Sequence, residues 1–162
     1  MPLSFHIIDP KFRRNFRQYL LQSLIASVVL LAILSVEDAL DKAAVVAAIG
    51  STAFILFITP HSQFGAPRNV IGGYVLSVLA GSLAVIVTTD STFLLALEGA
   101  SAVGLAFILM AVFDAEHGPA AGAALAVVLI GFSWNLVFLL MGSIIAMSVI
   151  HRVLRRWLRD LT

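Results

Sequence analysis

The chain has 162 residues, 60% of them hydrophobic and 12% charged, with a net charge of +1 and a mean hydropathy of +1.04. Water-soluble domains run at about 45–50% apolar and about 25% charged, so a soluble fold of this size could not bury so much apolar surface. The small net charge gives no bulk attraction to nucleic acid, and the lack of cysteine excludes disulfides, thiolate chemistry and zinc–cysteine sites. The expectation is an all-α polytopic transmembrane protein with one domain over residues 1–162.

A membrane-crossing helix needs roughly 20 mainly apolar residues. In chain order, Asp9-Pro10 reads as an N-cap followed by proline at the first helical position. Phe12 and Phe16 fall on one face, with Lys11, Arg13, Arg14 and Arg17 around the others. That predicts a short interfacial helix leading into a first span over 18–36. The basic stretch comes too late, and the apolar run is too long, for a cleavable signal. Further spans are expected over 43–59, 70–88 and 93–113, the last containing Glu98. Residues 119–150 are too long for one upright span and short for two. Gly131-Phe132-Ser133-Trp134-Asn135 interrupts them, predicting a short helix over 119–132 and a longer one over 134–154.

This makes five to six membrane helices, one of them short or broken. Lys and Arg collect at 11–17 and 152–159, while the first loop is acidic (Glu37, Asp38, Asp41). Six crossings put both termini on the cytoplasmic side of the cell membrane. Small residues four apart predict close packing: Gly73, Ser77 and Gly81; Gly118, Gly122 and Ala126; Ala100 and Gly104; Gly142 and Ala146. Ala53-Phe54-Ile55-Leu56 and Ala106-Phe107-Ile108-Leu109 form a faint internal echo, each preceding a polar loop.

Two loops carry nearly all the chemistry. The first runs Thr59-Pro60-His61-Ser62-Gln63-Phe64-Gly65-Ala66-Pro67-Arg68-Asn69 into Val70-Ile71-Gly72-Gly73. The second runs Phe113-Asp114-Ala115-Glu116-His117-Gly118-Pro119 into Ala120-Ala121-Gly122. A proline at a helix start leaves free N–H groups and a positive dipole end, which suit an anion. Arg68 offers a permanent charge and His117 an imidazole that titrates near neutrality. Gly122 leaves the short helix open to a ligand or a neighbouring helix.

Ser62, Pro67-Arg68-Asn69-Val70 and Gly72-Gly73, followed by Asp114-Ala115-Glu116-His117-Gly118-Pro119-Ala120-Ala121-Gly122, resemble the HPP family of small integral membrane proteins. That family is named for a His-Pro-Pro motif opening a short helix, and some members are linked to nitrite transport. Gly118 stands where the central proline of the motif would be. The resemblance covers roughly residues 15–155 and implies a transporter or channel for a small inorganic anion. The alternative is a structural or partner-binding membrane protein without transport.

The expected anion-binding residues are Arg68, Asn69, His117, Gly118, Pro119 and Gly122. Glu98, an acid within a span, and His61 are candidates for a proton or ion pathway. No nucleotide-binding, zincin or nucleophile-elbow motif occurs. The chain is therefore not expected to be an enzyme, nor to hold a cofactor or metal. Its expected partners are the bilayer, a small inorganic anion and further copies of itself, since six short helices make thin walls for a pore.

Overall fold

A computed structural model describes residues 10–36, 43–85 and 91–161. Among them are six α-helices and no strand: α1 (Pro10–Val36), α2 (Ala43–Ile58), α3 (Pro67–Ala84), α4 (Thr92–Val112), α5 (Ala121–Ile130) and α6 (Trp134–Leu154). Two 3-10 turns, Gln63–Gly65 and Gly118–Ala120, occupy the loops before α3 and α5. By length and composition, α4 and α6 are the described helices able to cross a membrane unaided. Asp9 and the whole acidic loop 37–42 lie outside the described residues.

Large apolar side chains lie on the outside of the bundle as well as within it. Leu24, Leu31, Leu83, Phe93, Phe107 and Phe138 are exposed, while the interior is dominated by alanine. Between helices in lipid there is no hydrophobic drive, so association rests on close packing of small residues. Six of the ten α5 residues are buried, four of them alanines, and α5 lies among α2, α3 and α4. Helix α6 packs on α2 and α3, and α1 lies against α2.

The Gly73, Ser77, Gly81 stripe is buried and faces this centre. A Cβ on Gly81 would stand 2.6 Å from the Ala124 carbonyl oxygen and 2.8 Å from Val127 Cβ. Gly122 approaches α2, where an added Cβ would stand 3.0 Å from Ala48 Cβ. Two other expected stripes behave differently. Ala100, Gly142 and Ala146 are exposed, and Gly104 and Gly142 have open space beside them. Ala100, Gly142 and Ala146 sit on outward faces of α4 and α6, and half-buried Gly104 has nothing within reach of an added β-carbon. Gly118 also meets open space.

The sequence break near Gly131 is real. Helix α5 ends at Ile130, Gly131 takes a positive φ of 87°, and Ser133 caps α6 through Leu136 N–H. At 1.5 Å per residue α5 covers only about 15 Å, whereas α6 covers about 30 Å. The expected helical start at Pro119 is corrected: residues 118–120 form a 3-10 turn, and α-helix begins at Ala121. Helix α1 runs on from Pro10, but Asn15 departs from helical geometry (φ −114°, ψ 21°). That kink separates the basic flank from the apolar stretch where an interfacial helix was expected.

The two polar loops, the start of α1 and residues 155–161 meet at one end of the bundle. Arg68 reaches Asp114, His117 reaches Phe64, and the Leu161 N–H bonds the Ile58 carbonyl at 3.0 Å. Gln22 completes the junction. This buried amide donates to the carbonyls of Phe57 and Arg159 and accepts from Gln18 Nε2 and the Arg159 N–H.

Two measurements test this arrangement. Gly81→Ala should lower stability in detergent by about 1–3 kcal/mol, because the crowding atoms belong to backbone and a packed β-carbon. Gly104→Ala, with open space, should hold or raise the unfolding midpoint. Single cysteines at Gln63 and Arg156 should react with an impermeant thiol reagent from the same side of the membrane, and one at Phe93 from the other.

Candidate functional site

The second loop alternates. Ala115 and His117 are buried and Glu116 is exposed, as extended backbone requires. The chain enters this stretch through a tight helix stop. Asp114 adopts a positive φ of 50°, the Ala115 N–H bonds the Met110 carbonyl at 2.9 Å, and the Asp114 N–H bonds that of Ala111 at 3.4 Å. This is a Schellman cap with aspartate at the left-handed position. Arg68 braces it, reaching the Asp114 carboxylate at 2.7 Å and the Phe113 carbonyl at 3.0 Å. The pair is 67% and 82% exposed, so its worth to stability lies within about 0–1 kcal/mol.

His117 is fully buried. Its Nδ1 lies 2.8 Å from the Phe64 carbonyl oxygen and its Nε2 2.9 Å from Thr52 Oγ1. A carbonyl can only accept, so Nδ1 carries the proton and the neutral ring accepts at Nε2. Thr52 then spends its hydroxyl proton on His117 and accepts from Tyr74 Oη at 3.0 Å. The chain Tyr74, Thr52, His117, Phe64 ties α3, α2, the second loop and the first. Burial lowers the His117 pKa, opposed by the bond to Phe64. Gly73 makes room for the ring, since a Cβ there would stand 2.9 Å from His117 Cβ.

The remaining expected residues are scattered. Asn69 donates to the Gln63 carbonyl and fastens the first 3-10 turn. Gly118 and Pro119 form the second turn. Gly122 serves the α5–α2 crossing. Glu98 is half-buried in α4, six residues beyond its start at Thr92, and so lies toward the end away from the loops. His61 is exposed; its N–H bonds Asp160 at 2.9 Å and its Nδ1 lies 3.6 Å from the same carboxylate. The structure thus brings Arg68 to Asp114 and His117 to the first loop, but does not gather the expected anion contacts round one opening. Among the described residues no three His, Asp or Glu side chains cluster as a metal site.

Other polar groups are less visible in the sequence. The Oγ atoms of Ser77 and Ser148 are buried without a hydrogen-bond partner. A cavity of about 410 Å³ opens between the first loop and the end of α6, walled by His61, Gln63, Pro67, His151, Arg152 and Arg155 among others. From the sequence these arginines read as an orientation signal, with a lipid-binding flank as the other reading. The period of α6 was the available clue, because His151, Arg152 and Arg155 recur at three- and four-residue spacing.

A family model described as the HPP transmembrane region matches residues 11–159. A transmembrane protein of Dictyostelium discoideum is 32% identical over 102 residues, which cover 60% of this chain and 35% of that protein. The match thus takes in about a third of the relative's length. No solved structure matches.

The lowered His117 pKa has a testable sign. The neutral ring is favoured in the fold, so its contribution is present above the unfolded value of about 6.5 and is lost as pH falls below it toward the folded value. His117→Ala should cost about 1–3 kcal/mol near pH 7.5, since the Phe64 carbonyl loses its partner. The gap between wild type and variant, read from unfolding midpoints in detergent, should narrow between pH 7 and pH 5. A constant gap would separate His117 from the acid sensitivity of the fold.

Proposed function

The chain belongs to the HPP transmembrane family, and on that premise we propose that it is a multi-pass transporter or channel for a small inorganic anion, nitrite among the candidates. In this reading it catalyses no covalent chemistry. Both chain ends face the cytoplasm, following the clusters of arginine at 13–17 and 152–159.

One observation carries the reading. Inside an apolar bundle, the Ser77 and Ser148 hydroxyls are buried and unsatisfied. A buried hydroxyl without a partner costs about 1–3 kcal/mol, and polar groups held within membrane helices mark routes for ions and solutes. Six residues separate Ser148 from the end of α6, and ten separate Ser77 from the start of α3. These hydroxyls therefore lie roughly 9 and 15 Å in from the end that carries the polar loops. Water or a partly dehydrated anion entering from that end would satisfy them. Arg68, Asn69 and the second loop then act by holding the entrance in shape, and His117 by locking the two loops to α2 and α3.

Reconstituted protein should conduct at least one of nitrite, nitrate, chloride and formate into liposomes. Ser77→Ala and Ser148→Ala should slow that flux while leaving the unfolding midpoint unchanged or raised, because an unsatisfied hydroxyl is removed without adding volume to a packed face. Absence of flux for all four anions would favour a structural or partner-binding role.

A further inference from the structure

The cavity at the end of α6 has a charge pattern that its structural neighbours leave uncompensated. Arg152 follows His151 in the last turn of α6, and Arg155 is its C-cap. Among the described residues, neither guanidinium has an ion pair or hydrogen bond within the protein. Asp160, the acid tied into this wall, is held by the N–H and ring of His61. The start of α3 forms another part of the wall through Pro67. Its first turn carries no acidic residue of its own, and the Asp114 carboxylate near it is taken by Arg68.

His151 supplies the second observation. The residue is only 3% exposed, yet one ring nitrogen alone is used. Nε2 lies 3.0 Å from the Pro60 carbonyl oxygen and must carry a hydrogen, because that oxygen only accepts. In the neutral ring Nδ1 is then a bare acceptor with no protein partner, on a residue that walls the cavity. Two free cations beside a bare acceptor fit a ligand with negative oxygens and one hydrogen to share.

We infer that this cavity binds a small oxyanion together with one proton. Arg152 and Arg155 hold the anionic oxygens, and the proton lies between His151 Nδ1 and a ligand oxygen. A hydrogen-bearing oxyanion such as dihydrogen phosphate or bicarbonate brings that proton itself. An unprotonated one such as nitrite takes it up from solvent on binding. The titratable and charged groups at this wall are His61, His151, Arg152 and Arg155, with Asp160 held by the His61 N–H; Arg68 does not contribute, being turned to Asp114. The inference takes its ligand class from the anion-transport reading but concerns binding alone. The same chemistry is offered by a lipid phosphate headgroup, since the cavity lies at the end of the bundle.

The test is calorimetric titration of the delipidated, detergent-purified chain with sodium nitrite and with inorganic phosphate, in buffers of different ionisation enthalpy. Arg152→Gln and Arg155→Gln should each weaken binding tenfold or more, and the Arg155→Lys variant should recover part of the loss. Nitrite should bind with uptake of about one proton at pH 7.5 and phosphate with less. Both arginines are exposed, so the variants should fold, which the unfolding midpoint checks. Displacement of nitrite by phosphatidylglycerol would identify a headgroup as the natural occupant of the same site. Wild-type affinity in the double Gln variant would overturn the site, and nitrite binding without proton uptake would remove His151 from it. Flux with unaltered concentration dependence in the double variant would sink the site and leave the transport reading standing. Binding at these arginines without any flux would do the reverse.

Discussion

Hydrocarbon offers no water to a stray polar group, so each loop that returns to the bundle must find its hydrogen bonds within the protein. His117 meets that demand for both loops at once. Its two nitrogens join the Phe64 carbonyl of the first loop to Thr52 of α2, and Thr52 passes the connection to Tyr74 of α3. A hydrophobic residue at position 117 would strand two of these groups, and a lysine would place an unpaired charge there. The neutral imidazole, donating at one nitrogen and accepting at the other, matches the polarity of the chain at both ends. The Arg68–Asp114 pair and the Schellman turn place His117 at its partners, and the small side of Gly73 lets the ring approach.

The same economy of volume runs through the helices. Alanine and glycine give the helix crossings their closeness; many large apolar side chains face outward, while Phe57, Tyr74, Ile144 and Met147 fill the centre. A helix as short as α5 can occupy the centre because Gly81 and Gly122 allow α3 and α2 to reach it at near backbone contact. Polar interior residues are correspondingly few. The unsatisfied Ser77 and Ser148 hydroxyls stand out against a background of alanine.

Much of this was legible in the residues. Hydropathy gave the helical class, the glycine and tryptophan near 131–134 gave the break before α6, and the Pro67 and Pro119 loops gave the motif of the family. The spacing of Gly73, Ser77 and Gly81 marked a true contact face. The same spacing at Gly142 and Ala146 did not, because four-residue periodicity cannot say which face of a helix meets a neighbour. The site was less readable. Arg68 and His117 look alike as cationic loop residues, yet one is exposed on a carboxylate and the other is sealed in the core. The difference follows from the extended backbone of residues 115–117, where alternate side chains turn inward. Gln22 gave only the weak sign of two amides, with Gln18, one turn apart in an apolar run. Its partners at Phe57 and Arg159 are too distant in sequence for any local pattern to connect.

That distance has a consequence for how the protein is made. Gln22 lies in the first helix, while the Arg159 backbone that completes its hydrogen bonds follows 137 residues later. At ribosomal speeds of about 5–20 residues per second, the interval is on the order of ten seconds. During that time α1 must enter or wait beside the bilayer with an amide that its final partners cannot yet reach. Gln18, one turn away, offers a provisional bond. Residues 155–161 then act as a latch, closing over α1 and α2 only after α6 has come back to the end of the bundle where Gln22 lies. The order of translation is in this way written into the hydrogen bonds of one buried side chain.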